Sequence, residues 1–508
     1  MNIFIRDLSE SMRGCQMDFF IRISMMICFG IFLIFFGSST YSMEKQGLDK
    51  IIELALKDSD QFISINLSID SLKTDFLSRD TSLSSRIEGE LSREVDHRDT
   101  LALNPDRTLN VDWLGLSYIQ PFKTGTQMSI LVQNKFKELN APFEKLNTAY
   151  WEFKLSQSLW KNAYGRSVAL RLERDRYELN EKTLALEYEK QNLLINIESL
   201  YWDMILALKE LDLKKESVRY SQIIESWAKK RFTQFAAESV DLIQMQSLVG
   251  QRKLDLLIAE NRVRQLRSHF LQYFSSVNIS NWQFELNEFE LERDLYQLVV
   301  NTTEGEKQLK TQIPIRIDAL SSIYSSKRYK AEALLEKDLN KPEFNFYVSY
   351  GGQGENIRTT DSWKRSFLDS NSVAKVGLEF SYYLDMNRQN DQEKAALRMA
   401  ESNQVRARSM QKISSESWDQ LQTDLNSLKE QVKIARMIYE QNKKRISLER
   451  RRFQQGKTST FQMTTAEIEV SESERRFYNL IASLRKTESL ARSYIYSNRS
   501  IEELGSAL

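Results

Sequence analysis

Little in this chain offers material for catalysis. Its 508 residues include only 2 histidines and 2 cysteines. His97 and His269 lie far apart without ligand-like neighbours, and an isolated histidine is usually a surface or core residue. No nucleophile–base pair, metal-ligand spacing or phosphate-cradling loop stands out. The expectation is a protein that is not an enzyme and uses no cofactor or metal. An excess of one charge is missing too, with 71 basic against 70 acidic side chains. A nucleic-acid binder would show a clustered basic excess, so that partner is not expected. Only 5 prolines and 16 glycines occur, which favours long uninterrupted helices over a loop-rich fold.

What is present begins with a leader. Ile23 to Phe36 is an uncharged apolar run, preceded by Arg6, Arg13 and Arg22 and followed by Gly37, Ser38, Ser39 and Ser42. It falls short of the ~20 residues of a spanning helix and has the layout of a secretory signal peptide. Residues 1–42 are therefore read as a leader, with Met12 or Met17 as other possible starts; a retained N-terminal anchor is the alternative. Cys15 and Cys28 both fall inside it. The mature chain then needs no disulfide and has no cysteine for a lipid anchor.

The remainder reads as two similar halves, 43–276 and 313–508, around a polar connector at 277–312. The first opens with a helix over 48–80. From about 84 to 159 the periodicity is two, as where Met128, Ile130 and Val132 alternate with Gln127, Ser129 and Gln133. Lys123-Thr124-Gly125 signals a tight turn, and Arg86 to Asp96 with Leu109 to Ile119 suggests a further hairpin, making four candidate strands. Lys161 to about Phe232 is a long helix with the stripe Leu193, Leu194, Ile197, Leu200, Tyr201, Met204, Ile205 and Leu208. A return helix runs from Asp241 to about Phe274. In the second half Pro314 opens a helix to about Leu339, and Phe344, Phe346, Val348 and Tyr350 start a strand. A loop carries Gly351, Gly352 and Gly354, and Val376, Leu378, Phe380, Tyr382 and Leu384 mark another strand. Long helices are expected over 388–453 and 461–496.

The helix hairpins turn at two matching segments, near 232–241 and 453–462. Arg231-Phe232-Thr233-Gln234-Phe235 lies 221 residues before Arg452-Phe453-Gln454-Gln455-Gly456. Ser156-Gln157-Ser158-Leu159 lies 225 residues before Ser381-Tyr382-Tyr383-Leu384. The strand-to-tip distance is thus kept to about one helical turn, as expected where one supersecondary unit is used twice. Gly456 suits a helix C-terminus, Ser459 or Thr460 a cap, and Thr464 with Glu467 the spacing of a capping box. Ser239 can cap the first return helix, and Asp241 suits its positive end. Lys229, Lys230, Arg231, Arg450, Arg451 and Arg452 complement the preceding helix C-termini.

Strands of this length with one apolar face are long enough to cross a bilayer if they close into a barrel. Two to four per half are too few for a pore, so several copies would pool them. An ordinary soluble hairpin alternates identically; the leader and the strand aromatics Trp113, Tyr118, Tyr150, Trp151, Tyr382 and Tyr383 favour an outer membrane with aromatic girdles.

The leader, the repeated strand–helix order, the Leu155-Ser156-Gln157-Ser158-Leu159 strand end, the Tyr201-Trp202-Asp203 helix segment and the tip pattern together resemble the outer membrane efflux protein family, TolC-like, over nearly all of 48–497. The resemblance implies a mixed α and β membrane fold with internal duplication. Three copies would build one outer-membrane β-barrel in lipid and one periplasmic α-barrel of long antiparallel hairpins. It also implies a periplasmic adaptor and an inner-membrane transporter as partners, in drug efflux or type I secretion. The docking candidates are Arg231, Phe232, Phe235, Arg452, Phe453, Gly456 and Lys457. The gate candidates are Asp241, Thr458 and Gln462, with Asp241 pairing across the tip to Lys457 or Thr458. Phe235 stands where the family has glycine, and Gln462 where it often has aspartate. An entrance less cation-selective than the family's is expected, checked by reversal potentials in a salt gradient. The alternative reading is a periplasmic coiled-coil scaffold or adhesin held by an uncleaved anchor.

Overall fold

A computed structural model describes residues 45–79, 83–95, 108–139, 145–233, 239–274, 283–284, 314–384, 386–455 and 457–495. The leader, nearly all of the connector, Phe235 and Gly456 lie outside these residues. Strands β1 (Lys45–Gln46) and β6 (Gln283–Phe284) form a small parallel ladder in a unit of their own.

In the main unit, the expected opening helix is two, α1 (Leu48–Asp58) and α2 (Asp60–Arg79), interrupted at buried Ser59. The period-two region then makes β2 (Arg86–Val95), β3 (Thr108–Pro121), β4 (Thr126–Leu139) and β5 (Lys145–Ser158). The Lys123–Gly125 turn is closed by Phe122 donating its N–H to the Thr126 carbonyl. Helix α3 (Arg166–Thr233) and α4 (Ser239–Leu271) are the first hairpin. Strand β7 (Ile315–Arg316) leads into α5 (Ile317–Leu339), then β8 (Glu343–Asn356), the short α6 (Thr359–Ser366) and β9 (Ser372–Ser381). The second hairpin is α7 (Met386–Gln454) with α8 (Thr460–Leu490), and β10 (Tyr494–Ile495) pairs with β7.

The six long strands form one antiparallel sheet in the order β2-β3-β4-β5-β8-β9. The halves of the sequence meet at β5 and β8, where Phe153 faces Tyr350 and Leu155 faces Val348. Gly351, Gly352 and Gly354, expected in a loop, lie inside β8. Helix α6 packs so closely on that strand that a Cβ at Gly352 or Gly354 would sit 1.9 Å from the Ser366 carbonyl or 2.0 Å from the Ser362 carbonyl. The glycines allow a backbone approach, and the strand continues through them.

The helices form a second layer. With 68 and 69 residues, α3 and α7 each extend about 100 Å at 1.5 Å per residue. Nearest the sheet, α3 packs on α2 and α5, and α5 on α7; further away, α3 packs on α4 and α8, and α8 on α7. The expected α3 stripe supplies core, since Leu193, Leu194, Ile197, Tyr201, Met204 and Ile205 are buried. Lys486 reaches Asp203 at 2.6 Å and Arg492 reaches the buried Glu198 at 3.3 Å, tying the end of the second hairpin to the middle of α3.

The strand-to-helix joint differs from expectation. Helix α3 begins at Arg166 rather than Lys161, because Asn162 and Tyr164 adopt left-handed backbone at φ 58° and 52°. Asp338 of α5 holds this elbow, accepting from the Asn162 N–H at 3.2 Å and the Ser167 hydroxyl at 2.6 Å, with Lys341 beside it.

Candidate functional site

Two parts of the molecule carry chemistry suited to a partner: the sheet with its edges, and the helix tips far from it. Register assigns the two faces of the sheet. One face carries Ile87, Leu91, Leu114, Leu116, Tyr118, Ile130, Val132, Phe153, Leu155, Phe346, Val348, Val376, Leu378 and Phe380 in adjoining rows. Many of these side chains are exposed, with Leu91 at 82 % and Val376 at 70 %. So continuous an exposed apolar surface is unusual on a soluble monomer.

The other face is polar. Glu152 accepts from the Ser349 hydroxyl at 2.7 Å and faces Lys375 at 3.4 Å. Lys135 sits 3.8 Å above the Trp113 ring and Lys154 4.6 Å above Tyr347. An apolar face backed by a wet, charged face is the division of a transmembrane barrel wall between lipid and lumen. At the end of the sheet away from the helices, α6 lies on the apolar face. Trp151 donates Nε1–H to the Ser366 carbonyl at 3.0 Å and stacks on Phe367 with ring centroids 5.4 Å apart. Gly354→Val should dislodge α6 by driving a side chain into the Ser362 carbonyl. The expected readout is new proteolytic cleavage between 357 and 371, with the rest of the chain unaffected.

At the tips the two hairpins pack on one another. Ile224 and Ala228 of α3, Met245 of α4, Ile446 of α7 and Met463 with Ala466 of α8 make a buried cluster, flanked by Phe453. The Phe453 ring lies 6.1 Å from Trp227. Phe453 is thus a packing residue between hairpins. Phe232 is 40 % exposed in the last turn of α3, and Arg231 is exposed beside it. Arg452 pairs with Glu449 on its own helix at 3.2 Å, and Lys457 is exposed.

The gate candidates divide similarly. Ser459 caps α8 by accepting from the Gln462 N–H at 3.2 Å, and Gln462 completes a capping box. The box is therefore Ser459 with Gln462, not Thr464 with Glu467. Thr458 donates to Gln462 Oε1 at 2.6 Å, so both are engaged in this cap. Ser239 is the first helical residue of α4, and Asp241 is exposed in its first turn. Asp241 and Lys457 form no ion pair within the described residues. Sequence reasoning passed over Phe461, 74 % exposed in the first turn of α8; its neighbours Ser459 and Gln462, by fixing the helix start, fix its outward direction.

One inward-facing group was also missed. Arg450 donates to the Tyr220 hydroxyl at 2.8 Å, its guanidinium lies 3.8 Å over that ring, and its other arm is 3.8 Å from Glu467. Burial pushes the Glu467 carboxyl up to about 6, against the pull of Arg450 and Arg252. A raised carboxyl pKa means the folded chain holds this proton more tightly than the unfolded chain. The packing is then favoured below the ordinary value of 4.5 and loses up to about 2 kcal/mol as pH rises through 6. Glu467→Gln should raise denaturation resistance at pH 7.5 by about that amount and have little effect at pH 4.5, measured by denaturant titration at both.

No protein-family model matches the sequence, and no curated protein matches it. Solved structures do. The outer membrane protein VceC of Vibrio cholerae superposes with a TM-score of 0.59 at 11 % identity, over 88 % of this chain and 95 % of that one. The CmeC outer membrane channel of Campylobacter jejuni gives 0.59 at 12 %, over 90 % and 88 %. The open state of the MtrE outer membrane channel of Neisseria gonorrhoeae gives 0.59 at 10 %, over 88 % of each. The chain shares the fold of these outer-membrane channels along nearly its whole length.

Proposed function

We propose that this chain is a passive exit duct of a Gram-negative outer membrane, with its helices in the periplasm. Several copies, three by family resemblance, pool their sheets into one barrel and their helices into one tunnel. A periplasmic adaptor and an inner-membrane transporter engage the tips and supply the energy, in drug efflux or type I secretion. The observation that carries the reading is that, among the described residues, both layers end in unpartnered members on opposite sides. The sheet ends in β2 and β9. The helix rows end in α2 or α4 on one side and α7 on the other. Exposed apolar residues line these outer helices, among them Leu67 of α2, Leu254 and Ile258 of α4, and Ile434 and Met437 of α7. A ring of copies covers all of these surfaces at once, and closure is the condition for strands in lipid.

A monomeric coiled-coil scaffold would leave the apolar sheet face and both sheet edges uncovered. Outer-membrane fractionation with gel mobility before and after boiling tests the choice. A slow, heat-sensitive band in the outer-membrane fraction is expected. A single unshifted monomer band in the soluble fraction would refute the duct.

A further inference from the structure

The way copies join is written in the strand ends. Ile87, Tyr118, Ile130, Phe153, Tyr350 and Ala374 lie in one pairing row across the sheet. Counted from the helix-side end of each strand, they are the second, fourth, fifth, sixth, eighth and eighth residues. The row rises by six positions from β2 to β8 and stays level from β8 to β9, a net climb of the kind made by strands that tilt against a common boundary. The edges are equally long, 10 residues each, and run antiparallel to one another because six alternating strands separate their outer sides.

We propose that β9 of one copy pairs antiparallel with β2 of the next in a single register, Ser372 opposite Val95 through Ser381 opposite Arg86. The inference rests on the pooled-barrel reading above and adds the joint itself. In this register Ala374 meets Arg93, the eighth residue of β2, so the row crosses the seam level, as it does from β8 to β9. Arg93 lies six residues beyond Ile87, so the stagger is six residues for every six strands. At about 3.4 Å per residue and 4.8 Å per strand, that is a tilt of about 35°, inside the range of closed barrels.

Neighbouring registers that keep the apolar faces together differ by two residues. The shorter stagger gives a tilt of about 25°, too upright for a barrel. The longer one gives about 43°, but leaves two residues of each described edge strand unpaired. The proposed register sets Leu91 against Val376, Ile87 against Phe380 and Gly89 against Leu378 on the apolar face. On the polar face Lys375 faces Ser92 and lies diagonal to Glu90 and Glu94. Glu379 opposes Glu88, with Arg86, which already bonds Glu88 at 2.8 Å, as its diagonal partner. With the six strands of the described sheet from each copy, a trimer closes as an eighteen-stranded barrel, a size that leaves an aqueous channel.

The test uses the full chain with Cys15 and Cys28 replaced by serine. Two cysteine pairs follow the register, Leu91→Cys with Val376→Cys and Ser92→Cys with Lys375→Cys. Adjacent pairs alternate between wide and narrow spacing, so one of the two is narrow and suits a disulfide. Oxidation in membranes should give a covalent ladder ending at three chains, with about tenfold more product than Leu91→Cys with Phe380→Cys, displaced by about 14 Å along the strands. Equal or greater yield from the displaced pair overturns the register. So does an oligomer, sized in detergent without oxidation, that neither seam pair can cross-link. A monomer in that sizing overturns the pooled barrel itself.

Discussion

Gly165→Val is expected to abolish the assembled, heat-sensitive oligomer, while Gly250→Ala leaves it unchanged. Gly165 ends the elbow between β5 and α3 at φ +80°, and a Cβ there would lie 1.7 Å from the Lys123 carbonyl oxygen. That oxygen belongs to the β3–β4 turn, which is held by its own closing bonds and by the Gln157 side chain donating to the Thr124 carbonyl. Neither backbone can retreat without breaking the other. Left-handed backbone adds about 1–2 kcal/mol for a residue with a side chain, and the collision should bring the total to about 4 kcal/mol or more, in the range reserved for a few severe mechanisms. At Gly250, in the middle of α4, a Cβ meets nothing within 4 Å, and alanine there is neutral or mildly stabilising. Boiled and unboiled samples of both variants, compared for monomer and oligomer, give the readout. An intact oligomer from the valine variant would show that the elbow does not set the angle between sheet and helices.

The same elbow shows what a sequence leaves hidden. Strands β3, β4, β5, β8 and β9 were legible because alternation directly reports a half-buried sheet. The hairpins were legible because few prolines and glycines interrupt their stripes. The elbow was not, since the left-handed residues Asn162 and Tyr164 lack the glycine signal that marks such backbone, and the start of α3 was placed five residues early. The glycines at 351, 352 and 354 misled in the opposite direction. Their purpose is contact with α6, a tertiary fact that local propensity cannot carry. Equally invisible was the pairing of β5 with β8, which turns four strands and two strands into one sheet. At the tips the directions of the side chains were not legible from the sequence. Phe232 and Phe453 lie in the two segments of matching sequence, yet only Phe232 is turned outward.

That difference sets the second large effect. Phe232→Asp combined with Phe461→Asp should abolish export while the oligomer stays intact. Both rings are exposed, at 40 % and 74 %, one ending α3 and the other opening α8. Neither belongs to the buried tip cluster, so polar replacements cost the fold little. An adaptor that covers them gains two aromatic anchors, and losing such anchors costs at least about 2 kcal/mol each, about thirtyfold in affinity. Phe453→Ala is the contrasting variant. It removes a ring packed against Trp227 and the hairpin cluster, with an expected loss of about 2–3 kcal/mol from the bundle near the tip. Its effect should appear as lower resistance to denaturant and freer ion conductance, with adaptor capture retained. Adaptor capture from membranes and conductance in planar bilayers separate the two. If the double aspartate variant still captured adaptor at wild-type strength, docking would have to lie elsewhere on the tip, with Arg231, Arg452 and Lys457 as the remaining exposed candidates among the described residues.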